Sequence, residues 1–170
     1  MSVIHSFTGV DGGWDWEGVP VLSYGPERPG VTVQRFISRR DKSNNLELRY
    51  FELEPGRTSN FESHNYEHAV LVLRGRGAVR LGEQLRPIKF GDVIFVSADE
   101  IHQFLAADDE PLGFMCAVLH NARRVAGRGA RVNQRGVAIR SEIHQAVGLR
   151  PQVVGTEPRE AHAQDRRPRQ

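Results

Sequence analysis

Between Glu62 and His68 the chain reads Glu62-Ser-His64-Asn-Tyr-Glu67-His68, and a further histidine, His102, follows in a later apolar stretch. Imidazole and carboxylate together form a ligand set suited to Mn, Fe, Ni or Zn. Glu62 and His64 are two residues apart, so an extended backbone turns them to the same side. His68 opens the next apolar run after a short break, and only tertiary folding can bring His102 to the others. The same stretch also fits H-x-x-E-H, the inverted zinc-protease signature. That chemistry needs both histidines one turn apart on a helix, and the flanks here are rich in β-branched residues. Each histidine alone can be a hydrogen-bonded core residue; three of them with a carboxylate make a metal site the better reading.

The elements that must position these residues are short strands. Val31–Ile37, Leu46–Leu53, His68–Arg74, Ala78–Leu81, Ile88–Phe90, Val93–Val96, His102–Leu105 and Leu112–Leu119 are apolar or alternating, and Gly, Pro and Asp turns separate them. Gly75-Arg76-Gly77 reads as one of those turns. This spacing predicts an all-β sandwich or barrel. The first thirty residues, with Trp14, Trp16 and Val19, read as an arm packing on the body. Past Asn121 the chain is rich in Arg and Gly. Ser141–Gly148 can form one or two helical turns, and composition predicts disorder from about residue 155.

The run Gly56…Glu62-Ser-His64-x3-His68-x6-Gly75 resembles the first sequence motif of the cupin superfamily, and Gly91-Asp92-Val-Ile-Phe-Val-Ser-Ala-Asp-Glu-Ile-His102 is similar to the second. The resemblance covers about residues 45–120. It implies an all-β, jelly-roll-like cupin barrel over 31–122, with residues 1–30 as an N-terminal arm and 123–170 as an irregular, basic, partly disordered extension. It also implies metal ligands His64, His68 and His102. The chain has Glu62 where the family usually has its first histidine, and His68 where it usually has glutamate. Glu62 therefore stands as a fourth ligand or as a base beside the metal. The resemblance implies Mn, with Fe, Ni and Zn as alternatives.

Strand parity extends the cavity. If His68 and His102 point inward, so do Val70, Val72 and Phe104. The resemblance selects Phe114, Cys116 and Val118 on the closing strand, with the Cys116 thiol facing the metal as proton donor or nucleophile. Tyr50 and Phe51 give one aromatic to each face, and Tyr50 is a candidate for the pocket. Asn60 and Tyr66 flank the ligands and can hydrogen-bond a substrate oxygen. Arg35, Arg49 and Arg57 are candidates for an anionic or phosphorylated substrate, Arg57 foremost, because guanidinium matches phosphate.

Charge is divided unevenly. Residues 1–120 carry 12 Lys and Arg against 17 Asp and Glu, whereas residues 121–170 carry 11 Arg against 4 acids. The body is acidic and the end of the chain basic, which argues against a nucleic-acid-binding domain. No run of about eighteen apolar residues predicts a membrane span. With one cysteine no internal disulfide forms, and a cytoplasmic location is expected. Apolar residues on both strand faces predict a homodimer.

The expected function is a metal-dependent enzyme on a small oxygenated substrate, phosphorylated or free. The sequence resembles a bacterial branch of small cupins, which implies carbon–sulfur cleavage of 1-methylthio-D-xylulose 5-phosphate. In that reaction the methylthio group passes to glutathione and 1-deoxy-D-xylulose 5-phosphate is released. An Fe or Mn dioxygenase cleaving C=C or C–C bonds is the alternative enzyme, and a non-enzymatic small-molecule-binding barrel is the alternative outside catalysis.

Overall fold

A computed structural model describes residues 2–9 and 12–119. The helical turns expected at 141–148 and the disorder expected from 155 lie outside the described residues. Among the described residues eight strands form: β1 (Leu22–Ser23), β2 (Val31–Ile37), β3 (Leu46–Leu53), β4 (His68–Leu81), β5 (Gln84–Lys89), β6 (Val93–Val96), β7 (His102–Ala106) and β8 (Leu112–Leu119). All pairings are antiparallel, in the order β1-β2-β3-β8-β4-β5, with β6 and β7 also on β4. The fold is all-β and jelly-roll-like; the one helical element among the described residues is a 3-10 turn, Arg39–Asp41. No helix among the described residues is long and apolar enough to cross a membrane.

The sequence reading broke β4 in two at Gly75-Arg76-Gly77, and the structure corrects this: the strand runs unbroken for 14 residues. Its first half pairs with β6 and β8, its second with β5 and β7. The glycines serve the bend between the two pairings. Gly75 has a positive φ of 63°, and a Cβ there would collide with the carbonyl oxygen of Pro111. A Cβ on Gly77 would collide with the carbonyl oxygen of Leu105. Glycine pairs at a turn and at a bent strand look alike in sequence, because both positions require the missing side chain.

The inward faces follow the alternation. Val31, Val33, Phe51, Leu53, Val70, Val72, Phe104, Phe114, Cys116 and Val118 belong to one buried cluster. The opposite face of the same sheet carries a second cluster. There Val19, Phe36 and Tyr50 are buried under Trp14 and Trp16 of the arm. Trp14 stacks on Tyr50 with ring centroids 5.6 Å apart, and Trp16 meets Phe36 edge-on at 4.7 Å. The arm thus packs on its own sheet, and β1 within it extends that sheet by pairing with β2.

Candidate metal centre and its cavity

The segment 58–62 runs beside β7 without being a regular strand. Thr58 bridges Leu105 and Glu62 bridges His102, with the backbone amides of Glu62 and His102 bonded to each other's carbonyls at 3.2 and 2.9 Å. Ser59 Oγ accepts from the amide of Phe104 at 2.9 Å. This side-by-side path delivers Glu62 and His64 to His102. Register on β4 then supplies His68, opposite Val118 of β8 and Val96 of β6.

The three imidazoles converge. His64–His68, His64–His102 and His68–His102 ring centroids are 5.2, 5.4 and 4.9 Å apart, and one nitrogen from each lies within 4.8 Å of the other two. The helix that the zinc-protease signature requires is absent, since 62–67 is irregular and His68 starts a strand.

The donor set fits a divalent cation. His102 Nδ1 lies 2.9 Å from the carbonyl of Glu100; as donor there it leaves Nε2 with its lone pair. His68 Nδ1 lies 3.3 Å from Cys116 Sγ, while its Nε2 is buried and has no hydrogen-bond partner. A buried orphan nitrogen is costly unless something accepts its lone pair. Burial, reinforced by the positive fields of His102, His64 and Arg49, pushes His68 down to about 3. Burial also lowers His102, against the opposing pull of the Glu100 carbonyl. Both rings are therefore neutral at physiological pH, the form that binds a metal.

Glu62 stands beside this cluster. Its Oε1 is 3.4 Å from His64 Nε2 and accepts from Tyr24 Oη at 3.3 Å; its Oε2 accepts from Asn60 Nδ2 at 3.3 Å. Asn60 Oδ1 in turn accepts from Arg28 Nε at 3.0 Å. Burial raises the Glu62 carboxyl, but the hydrogen bond and charge of His64, with Asn60 and His102, outweigh it and leave it below the ordinary range. The Tyr24 phenol is pushed up to about 12, by burial first and then by the Glu62 charge, so it remains a donor.

These groups line a cavity of about 100 Å³ that opens to solvent. Phe51, Phe104 and Phe114 stack along its floor at 5.5 and 4.4 Å. Cys116, with Arg49 Nη2 3.6 Å from its sulfur, faces the same space. Burial pushes the Cys116 thiol up, more than Arg49 pulls it down.

Of the pocket residues expected from sequence, Tyr66, Phe104 and Phe114 line the cavity, and Tyr66 stacks on His64 at 4.8 Å. Asn60 lies behind Glu62. Tyr50 does not enter: it points to the arm, its hydroxyl donating to Glu52 Oε2 at 2.7 Å, and Phe51 takes the inward position. Arg57 is exposed on the turn after Gly56 and is not among the lining residues. Arg49 lines the cavity instead, since it shares the parity of Phe51 and sits opposite Cys116. Tyr24 and Ser59 were not singled out in the sequence. Arg49 follows from Phe51 by counting two residues; Tyr24, in a stretch without a period, gives no such signal.

Residues 49–118 match the Cupin domain family. The 1-methylthio-D-xylulose 5-phosphate methylsulfurylase of Rhodospirillum rubrum is 38% identical over 111 residues, which is 64% of this chain and 70% of that relative. The crystal structure of a cupin-2 domain from Rhodospirillum rubrum superposes with a TM-score of 0.63 at 33% identity, covering 78% of this chain and 88% of that one. A cupin 2 conserved barrel domain protein from Rhodopseudomonas palustris gives a TM-score of 0.63 at 30% identity, covering 85% and 96%.

Proposed function

This chain belongs to the cupin family, and from that premise we propose that it is a divalent-metal enzyme cleaving the carbon–sulfur bond of 1-methylthio-D-xylulose 5-phosphate. In this reading residues 31–122 are the barrel, 1–30 its arm and 123–170 an extension. His64, His68 and His102 hold the ion, with Glu62 beside it, and the metal is Mn. The observation that carries the proposal is the convergence of three imidazoles with a thiol, Cys116, on one cavity. The 38% identical methylsulfurylase supports the choice of substrate.

When bound, the ion supplies Lewis-acid stabilisation of negative charge on the substrate's keto oxygen. The thiol of glutathione attacks the methylthio sulfur. The C1–S bond breaks, its electron pair stays on the sugar as an enolate, and a sulfur–sulfur bond forms. Cys116 donates its proton to C1, giving the methyl group of 1-deoxy-D-xylulose 5-phosphate, and the glutathione thiol proton returns to Cys116. Carbon is reduced by two electrons and the two sulfurs are oxidised by two. Glu62, held by Tyr24 and Asn60, accepts a hydrogen bond from a substrate hydroxyl and keeps it oriented. Phe51, Phe104 and Phe114 keep bulk water from the enolate.

The test is turnover of this substrate with glutathione, scored for the deoxy sugar and the methylthio–glutathione disulfide, with and without oxygen. Cys116→Ala is expected to lower turnover by more than ~100-fold while metal content is kept. Wild-type-like turnover in that variant removes the thiol mechanism. The phenylalanine floor favours a second reading, a dioxygenase acting on an aromatic or alkene, which oxygen uptake during turnover would select.

We further read the protein as a cytoplasmic homodimer. Leu71, Val93, Phe95 and Leu119 lie on the outward face of β4, β6 and β8 beyond the reach of the arm, with Val93 76% and Phe95 59% exposed. A second copy of the same face covers that strip. Light scattering of the full chain tests it, and a monomer at micromolar concentration refutes it.

A further inference from the structure

Among the described residues Arg49 is the one guanidinium that lines the cavity. It joins none of the ion pairs among the described residues; Arg35 is paired with Glu47 at 3.5 Å, Arg74 with Glu52, and Arg76 with Asp109 and Glu110. Its Nε is buried without a hydrogen-bond partner, and the contacts of the side chain are a thiol at 3.6 Å and the ring of Phe51 at 5.2 Å. Neither is an anion. The Glu47 carboxylate on the same strand is engaged by Arg35, and a half-buried guanidinium with no carboxylate in contact favours a ligand that brings an anion. The reverse charge in the cavity is the Glu62 carboxylate, beside the imidazoles at 3.4 Å from His64 Nε2. From the imidazoles to the guanidinium, across the sheet from β4 through β8 to β3, there are two contacts: 3.3 Å from His68 Nδ1 to Cys116 Sγ, and 3.6 Å onward to Arg49 Nη2. That is the span of a short sugar chain.

We propose that Arg49 is the phosphate anchor of this cavity, and that it fixes the substrate's direction, with the oxygenated head at the imidazoles, the phosphate monoester at Arg49, and the Cys116 thiol alongside the carbons between. The reversed pose sets phosphate against Glu62 and leaves Arg49 uncompensated, so like-charge repulsion excludes it. The inference rests on reading the site as one for small oxygenated metabolites, but it does not depend on which bond is cleaved there.

Calorimetric titration of the full, metal-loaded chain with D-xylulose 5-phosphate, D-xylulose and inorganic phosphate tests it. Wild type is expected to bind the phosphorylated sugar at least ~30-fold more tightly than the free sugar, with inorganic phosphate competing only for the former. Arg49→Gln is expected to bring that ratio below about threefold with D-xylulose affinity and metal content kept, and Arg49→Lys to retain part of it. Arg57→Gln, on the exposed turn, is expected to keep the full ratio. A wild-type ratio in Arg49→Gln, an equal loss in Arg57→Gln, or no preference for phosphate in wild type overturns the anchor. Arg49-dependent binding without carbon–sulfur cleavage would instead leave the anchor standing and remove the proposed reaction.

Discussion

The two walls of the cavity are built differently. Arg49, Phe51, His68, Phe114 and Cys116 sit on β3, β4 and β8, where ladders fix these side chains by register, the β4–β8 register shifting only between Val72 and Arg74. Tyr24, Asn60, Glu62 and His64 sit on irregular backbone, held by two isolated bridges to β7 and by a run of side-chain bonds from Arg28 through Asn60 to Glu62. In the strand wall position is inherited from the sheet, so a side chain can be changed there without moving its neighbours. In the irregular wall the side chains hold one another, and a change in one is felt by the rest.

The sharpest way to break this contrast is to remove one imidazole from each wall. His68→Ala and His64→Ala are each expected to weaken metal binding by more than ~100-fold, beyond the cost of losing an outer partner. Only His64→Ala is expected to loosen Glu62 as well. Metal analysis after dialysis, with a crystal structure of each variant, measures both effects; undisturbed Glu62 in His64→Ala would mean that the irregular wall is as rigid as the strands.

Next in size is an attack on the ladder itself. Gly75→Ala sets a Cβ against the Pro111 carbonyl in a strand that serves both pairings. It is expected to cost about 2–3 kcal/mol in urea denaturation. A loss near zero would show that the bend tolerates a side chain.

A third experiment uses protons. With His68 folded near 3 and ordinarily near 6.5, the unfolded chain takes up a proton first as pH falls, while the folded ring stays neutral. Stability of the metal-free protein is therefore full above about 6.5 and declines toward 3. His68→Gln is expected to flatten that decline in thermal melts; an unchanged slope would assign it to other groups.

The smallest effect expected is that of Tyr24→Phe. It removes one donor to Glu62, worth about 1 kcal/mol, and is expected to lower kcat several-fold with little change in melting temperature. An equal change from Phe51→Leu in the strand wall would erase the distinction.

The same contrast explains what was legible in the sequence. His64, His68 and His102 stood out by residue type and by their match to the cupin motifs, and Val70, Val72 and Phe104 followed by alternation, because strands repeat every two residues. The same rule reaches Arg49 once Phe51 is known to face inward. It could not choose between Tyr50 and Phe51, because both faces of β3 are apolar and covered, one by the interior and the other by Trp14 and Trp16. Tyr24 had no period to betray it. Arg57 drew attention by lying near the first motif, but the turn after Gly56 carries it to the surface. The unbroken course of β4 was hidden because Gly75 and Gly77 look the same whether a chain reverses or bends.

The stacking of Trp14 on Tyr50 gives the protein a built-in optical gauge. Tyr50 lies back to back with Arg49 and Phe51 across the thickness of a single strand, so events inside the cavity reach the indole through one layer of backbone. Trp16 lies against the same tyrosine ring at 5.2 Å, so the combined emission of Trp14 and Trp16 is expected to report occupancy of the cavity from outside it, with no dye attached and no residue of the interior altered.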